Sequence, residues 1–176
     1  DPLPLELDNE FKEWLAMLPD LDKISIPRHI PLTDSSTIHI FVDAGNLGTC
    51  AQAIVRTEVK KKNKVEYVTS FAYANCRIRS VTTELSIPRL ELQAMLTGVR
   101  VGQMLQKAFD LESHRIFIWS DSQVSLAWTQ KSADELSPWH LNRVKIITES
   151  GFTLRYICSE ANNCILNTHD ATDHKD

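Results

Sequence analysis

The chain has 176 residues, 43% of them hydrophobic and 24% charged, with a formal net charge of −4. That length suits one domain with a single core and a short appendage, and the composition is that of a globular chain, neither low-complexity nor a linker. The acidic balance argues against a dedicated basic nucleic-acid-binding module but leaves room for a nuclease, because carboxylates that hold metal ions lower the formal charge while the ions restore positive potential where a phosphate sits. No apolar run approaches the ~18 residues a membrane-spanning helix requires. The acidic start, DPLPLELDNE, lacks a signal-peptide pattern, so no membrane partner is expected. The cysteines at 50, 76, 158 and 164 form no CxxC pair and read as free thiols, which points to a reducing, intracellular location, cytoplasmic or nuclear.

Residues 1–35 form their own segment. Phe11, Trp14, Leu15 and Leu18 recur at helical spacing, with Asp8 as the expected N-cap, and this helix is expected to pack on the domain. The following stretch, ISIPRHIPLTDSS, is rich in Pro-preceded positions that favour extended backbone. Strands are predicted over Ile38–Val42, about Thr49–Arg56 and about Val65–Ala74, joined by connections short enough for an antiparallel meander. The basic run KKKNK, Lys60–Lys64, reads as the solvated tip between the second and third of these. SIPRLELQAMLTGVRVGQMLQKAF then reads as one long helix, with Pro88 in the first turn and an apolar stripe through Leu90, Ala94, Leu96 or Thr97, Val101 and Leu105. A buried strand, Arg115–Trp119, leads into a short helix, Gln123–Gln130. Another helix within Leu136–Ser150 begins at the Pro138 turn and ends at Gly151. Phe152–Ile157 is the last strand. Trp119, Trp128 and Trp139 read as core residues. The body, residues 36–170, is therefore an α/β domain with a mixed sheet and helices on both faces, followed by a disordered tail over residues 171–176.

Three carboxylates stand out in this frame. Asp43 and Asp121 end apolar, β-branched runs, and Glu91 lies in the first turn of the long helix. Ligands of α/β sheets gather at the carboxyl ends of strands, where an unpaired buried carboxylate is costly but a metal-bound one is not. If the two strands are neighbours, Asp43, Glu91 and Asp121 form a divalent-metal site for phosphate chemistry. Each residue also has a plainer reading: Asp43 beginning a turn, Asp121 with Ser122 capping the next helix, Glu91 facing solvent. The six histidines form no HExxH, Ser120 and Ser122 lie in no nucleophile elbow, and there is no P-loop or GxGxxG.

FVDAG, SIPRLELQAML, WSDSQVSLAW and LNRV together resemble the ribonuclease H domain of BEL/Pao-type retrotransposon polyproteins. The leading EFKEWLAMLPDLDKISIPR resembles the stretch that joins reverse transcriptase to that domain. The resemblance implies a five-stranded ribonuclease H-like sheet and Asp43, Glu91 and Asp121 as the first three carboxylates of a two-ion magnesium or manganese site. It further implies endonucleolytic cleavage of the RNA strand of RNA–DNA hybrids by a monomeric domain, with a reverse transcriptase domain as partner. The family's fourth carboxylate, the Asp of an Asn-Pro-Ala-Asp stretch, corresponds here to Ile165 in Asn162-Asn163-Cys164-Ile165, and isoleucine cannot bind a metal. Asp170 is the nearest downstream carboxylate and Glu160 the other stand-in. Two readings follow: a metal-dependent ribonuclease H, or a degenerate, non-catalytic module that binds nucleic acid or serves a structural role.

Overall fold

Alternation across residues 37–45 puts Ile38, Ile40 and Val42 on one side of an extended chain and His39, Phe41 and Asp43 on the other. In the computed structural model, which describes residues 4–25, 27–61, 64–79 and 85–164, this stretch is strand β1 (Thr37–Gly45). It turns through residues 46–47 into β2 (Gly48–Lys61), which returns as β3 (Lys64–Ile78). Helix α2 (Ile87–Phe109), β4 (Ile116–Ser120), helices α3 (Gln123–Trp128) and α4 (Pro138–Glu149), and β5 (Thr153–Tyr156) follow. The five strands form one mixed sheet in the order β3-β2-β1-β4-β5. The meander pairs are antiparallel, whereas β1–β4 and β4–β5 are parallel. Every expected strand and helix of the body is present, and the strands of Asp43 and Asp121 are neighbours.

The β2–β3 hairpin outruns its expected ends at Arg56 and Ala74, because cross-strand pairing continues to Lys61↔Lys64 at one end and Gly48↔Ile78 at the other. Its basic tip therefore lies at the end of the hairpin remote from Asp43, whose strand pairs with β2 up to Gly45↔Gly48.

Helix α2 starts after Ser86, whose extended backbone (φ −65°, ψ 155°) turns the chain, and accepts Pro88 in its first turn, where no N–H partner is required. It contacts β1, β2 and β4 on one side and α3 and α4 on the other. Leu92, Met95 and Val99 are consequently buried in addition to the expected stripe. The helix approaches the sheet closely at two glycines. A Cβ on Gly98 would meet Val42 Cγ1 at 2.5 Å, and one on Gly102 would meet Phe152 Cε2 at 2.6 Å. Helix propensity alone favours Gly→Ala by about 1 kcal/mol. Here the clash with a β-branched neighbour outweighs it. Gly98→Ala is expected to destabilise the domain by about 1–3 kcal/mol, the usual cost of overpacking. A raised melting temperature for that variant would contradict the close approach.

The leading helix, α1 (Leu5–Met17), corrects two expectations. It begins after Pro4, so Asp8 is not its N-cap but an interior residue paired with Lys12 at 2.6 Å. It buries none of its residues, and Phe11, Trp14 and Leu15 are exposed, so it is not packed on the domain. Its neighbours are the 3₁₀ turn that follows it, Leu18–Lys23, and its own rings, Phe11 and Trp14 stacking at 5.8 Å. The chain meets the body from Ile30, which packs against the core. There the Thr57 hydroxyl donates to Pro31 O at 2.6 Å and lies 2.8 Å from the Ser36 hydroxyl. Asp170, Ile165 and the expected tail at 171–176 lie outside the described residues.

Candidate active site at the carboxyl edge of the sheet

Parallel pairing of β1 with β4 ends at Val42↔Ser120, so the next residues of the two strands, Asp43 and Asp121, emerge side by side at one edge. β1 itself continues to Gly45, and Asp43 pairs with Cys50 of β2, which makes it a strand residue and not the start of a turn. Asp121 lies in a bend, and the helix cap that follows is Ser122, whose Oγ accepts the Ser125 N–H at 3.1 Å. The same Ser122 hydroxyl donates to Glu91 Oε2 at 2.5 Å. Ser125 Oγ reaches Pro88 O at 3.4 Å, so the starts of α2 and α3 are tied together. Glu91 is thereby turned toward the residue next to Asp121 and does not simply face solvent. All three carboxylates are half-buried.

Residues 157–164 border the same edge. Ile157 N donates to Ser120 O at 3.1 Å, and the Ser159 hydroxyl donates to Asp121 Oδ2 at 2.8 Å. Asn162, buried, donates from Nδ2 to Val42 O at 3.0 Å and accepts the Cys164 N–H on its Oδ1 at 3.1 Å. One side chain thus anchors the C-terminal segment to the residue that precedes Asp43. Three thiols gather beside it. The hydrogen bond from Cys164, more than that from Cys76, holds the Cys50 thiol down to about 6 against burial and the Asp43 charge. The same bonds push Cys76 up to about 11 and raise Cys164. Glu160 is exposed. Among the described residues, no three His, Cys, Asp or Glu side chains stand close enough together to hold a metal ion as they are oriented here.

Arginines surround the start of α2. Arg77 and Arg79 line a groove of about 140 Å³ with Thr49, Leu90 and Gln93. Arg143 Nε donates to Gln93 Oε1 at 3.0 Å, and the Arg143 and Arg89 guanidiniums lie over the Trp139 ring at 3.6 and 5.3 Å. Along the sequence the only basic cluster is the Lys60–Lys64 run. These arginines are scattered along the chain and become a group only through the fold.

On the sheet face that Asp43 shares, His39, Phe117, Trp119 and Phe41 form a row, with neighbouring ring centroids 5.1–6.2 Å apart. Trp119 therefore belongs to this half-buried row and not to the main core, while Trp128 and Trp139 pack against that core. The Trp119 Nε1–H points at His39 Nδ1 (3.1 Å), and Thr37 Oγ1 lies 3.0 Å from His39 Nε2. That network requires an unprotonated Nδ1. Burial first, and the Arg56 charge second, lower the His39 pKa. A histidine depressed on folding takes up protons more readily when unfolded, so stability falls as pH drops through about 6.5 toward the folded value. Melting temperature is expected to drop between pH 7.5 and 5.5, and less so in His39→Gln. Equal pH dependence in the two proteins would assign the effect to other groups, His140 among them.

A five-stranded mixed sheet in this order, with its first and fourth strands parallel at the centre and helix α2 across them, defines a ribonuclease H-like domain. The family described as the Pao retrotransposon-like RNaseH-like domain matches residues 1–122, more than half of the chain. The chain belongs to that family. No curated protein matches it. Similar solved structures include LC11-RNase H1 in complex with an RNA/DNA hybrid, at 12% identity and TM-score 0.47, covering 73% of this chain and 88% of that one. RNase H1 from the halophilic archaeon Halobacterium salinarum NRC-1 gives 8% identity and TM-score 0.43, with 72% and 88% covered. The N-terminal RNase H domain of rv2228c from Mycobacterium tuberculosis, fused to maltose binding protein, gives 13% identity and TM-score 0.44, with 71% and 84% covered.

Proposed function

We propose that this domain hydrolyses the RNA strand of RNA–DNA hybrids, with Asp43, Glu91 and Asp121 as its acidic centre. The observation that carries the reading is the β1–β4 register, which ends at Val42↔Ser120 and makes Asp43 and Asp121 next neighbours, with Glu91 bonded to Ser122, the residue after Asp121. Three carboxylates are hard oxygen donors, the set that magnesium and manganese take, and two of them now accept bonds from serine hydroxyls that a cation can displace. Asp43, Glu91 and Asp121 would hold the metal, which when bound supplies Lewis acidity to the phosphate and acidifies the attacking water. Ser122 and Ser159 orient Glu91 and Asp121, and Asn162 fixes the strand end before Asp43. Arg77, Arg79, Arg89 and Arg143 supply positive charge for the substrate backbone, which the net charge of −4 conceals. A reverse transcriptase domain is the partner this family membership suggests, since reverse transcription creates the hybrid.

The absence, among the described residues, of three converged ligands favours a second reading, a non-catalytic hybrid-binding module. Labelled RNA–DNA hybrid, single-stranded RNA and duplex DNA, each incubated with the chain in manganese, in magnesium and in EDTA, separate the two. RNA cleavage confined to the hybrid and dependent on metal supports hydrolysis. Hybrid binding without cleavage in any metal selects the second reading.

A further inference from the structure

Cys50 and Cys76 are direct cross-strand partners in β2 and β3, and Asp43 is the partner of Cys50 on its other side. Direct partners point to the same face of a sheet, so Asp43, Cys50 and Cys76 form one row across three strands. The two sulfurs lie 2.8 Å apart. Cys76 is exposed, whereas Cys50 is buried, with 8% of its surface accessible. Cys164, also buried, bonds Cys50 from the C-terminal segment. Facing residues on antiparallel strands have Cα atoms about 4.5–5.5 Å apart, inside the span a disulfide bridges.

We propose that Cys50 and Cys76 are a dithiol redox pair, in which exposed Cys76 reacts with a small-molecule disulfide and Cys50 resolves the product into a cross-strand bond. In the first step the proton shared across the 2.8 Å sulfur–sulfur contact moves from Cys76 to Cys50, and the Cys76 sulfur attacks one sulfur of the small disulfide. That S–S bond breaks, a mixed disulfide forms on Cys76, and the leaving thiolate takes a proton from water. In the second step the Cys50 sulfur attacks the Cys76 sulfur, and the second small thiol leaves with the Cys50 proton. Two protein thiols are oxidised by two electrons, and one small disulfide is reduced to two thiols. Burial restricts direct access to Cys50, so the exposed partner is the entry point. Closing this bond staples β2 to β3 one strand away from Asp43 and withdraws the Cys50 sulfur from Cys164. The pair does not depend on the proposed hydrolytic activity.

The test uses the full chain carrying Cys158→Ser, which removes the other exposed thiol, equilibrated with oxidised glutathione. Expected are a fall of two titratable thiols, a mass two units below the reduced protein with no retained glutathione, and a tryptic fragment joining the Cys50 and Cys76 peptides. Dithiothreitol should reverse all three. The melting temperature of the oxidised form should rise by several degrees, because the bond closes a loop of 26 residues. Adding Cys164→Ser should leave the bond intact, and adding Cys50→Ser should trap glutathione on Cys76. A Cys50–Cys164 fragment, or persistent glutathione on Cys76 with Cys50 still titratable, would overturn the assignment.

Discussion

Asp43→Asn is expected to reduce metal-dependent hybrid cleavage by about a thousandfold. A metal-bound carboxylate supports several kcal/mol of transition-state charge stabilisation, and about 1.4 kcal/mol corresponds to each factor of ten in rate. Asparagine keeps the shape and one acceptor oxygen but loses the charge that holds a divalent ion. Asp43 is a strand residue held by pairing with Cys50 of β2, and asparagine has the same shape, so the variant should fold as the parent does and melt within a few degrees of it. The thermal response to manganese should weaken in parallel, because an ion at concentration c that binds only the folded form raises stability by RT ln(1 + c/Kd), and a weaker site has a larger Kd. Unchanged cleavage in Asp43→Asn would assign the activity to a contaminant or to another site. Unchanged cleavage together with an unchanged manganese shift would remove Asp43 from the metal site altogether.

The parts of the fold that follow from local pattern were legible. IHIFV and RIFIW announce buried strands by alternation and β-branching, and Pro88 after Ser86 announces the start of α2. The adjacency of β1 and β4 was only a condition for a shared site in the sequence, and the observed register meets it. The burial of α2 beyond its stripe was not legible, because a single apolar stripe marks one packed face, whereas this helix lies between the sheet and two other helices. The exposure of α1 was missed for the opposite reason: its spacing is amphipathic, but nothing in that spacing says whether a partner surface lies within reach. The residues that organise the candidate site were invisible because their meaning is tertiary. Ser122 meets Glu91 across 31 positions, Ser159 meets Asp121 across 38, and Asn162 meets Val42 across 120. A serine after an aspartate or an asparagine in a polar tail carries no signal of such partners. The carboxylates could be read because buried charge at a strand end is costly and therefore conspicuous, whereas the neutral groups that hold them are not.

Ile165→Asp is expected to raise hybrid cleavage by about tenfold or more, or to create it where the parent shows none. The resemblance implies an aspartate at this position, and a carboxylate added to the proposed ligand set would strengthen the hold on a second ion. The described part of the segment, up to Cys164, ends beside β1 and β2. Asn162 is fixed to the Val42 carbonyl and to the Cys164 N–H, and Cys164 is buried against Cys50, the strand partner of Asp43. An added carboxylate near Asp43, Glu91 and Asp121 costs repulsion without metal and repays it with metal. The variant should therefore melt lower than the parent in EDTA and gain more from millimolar manganese. An apolar surrounding for residue 165 leads elsewhere: an unpaired aspartate buried there costs several kcal/mol, manganese does not recover it, and cleavage does not rise. Measuring cleavage and melting on the same preparation, with and without manganese, distinguishes a repaired metal site from a position the chain has committed to its core.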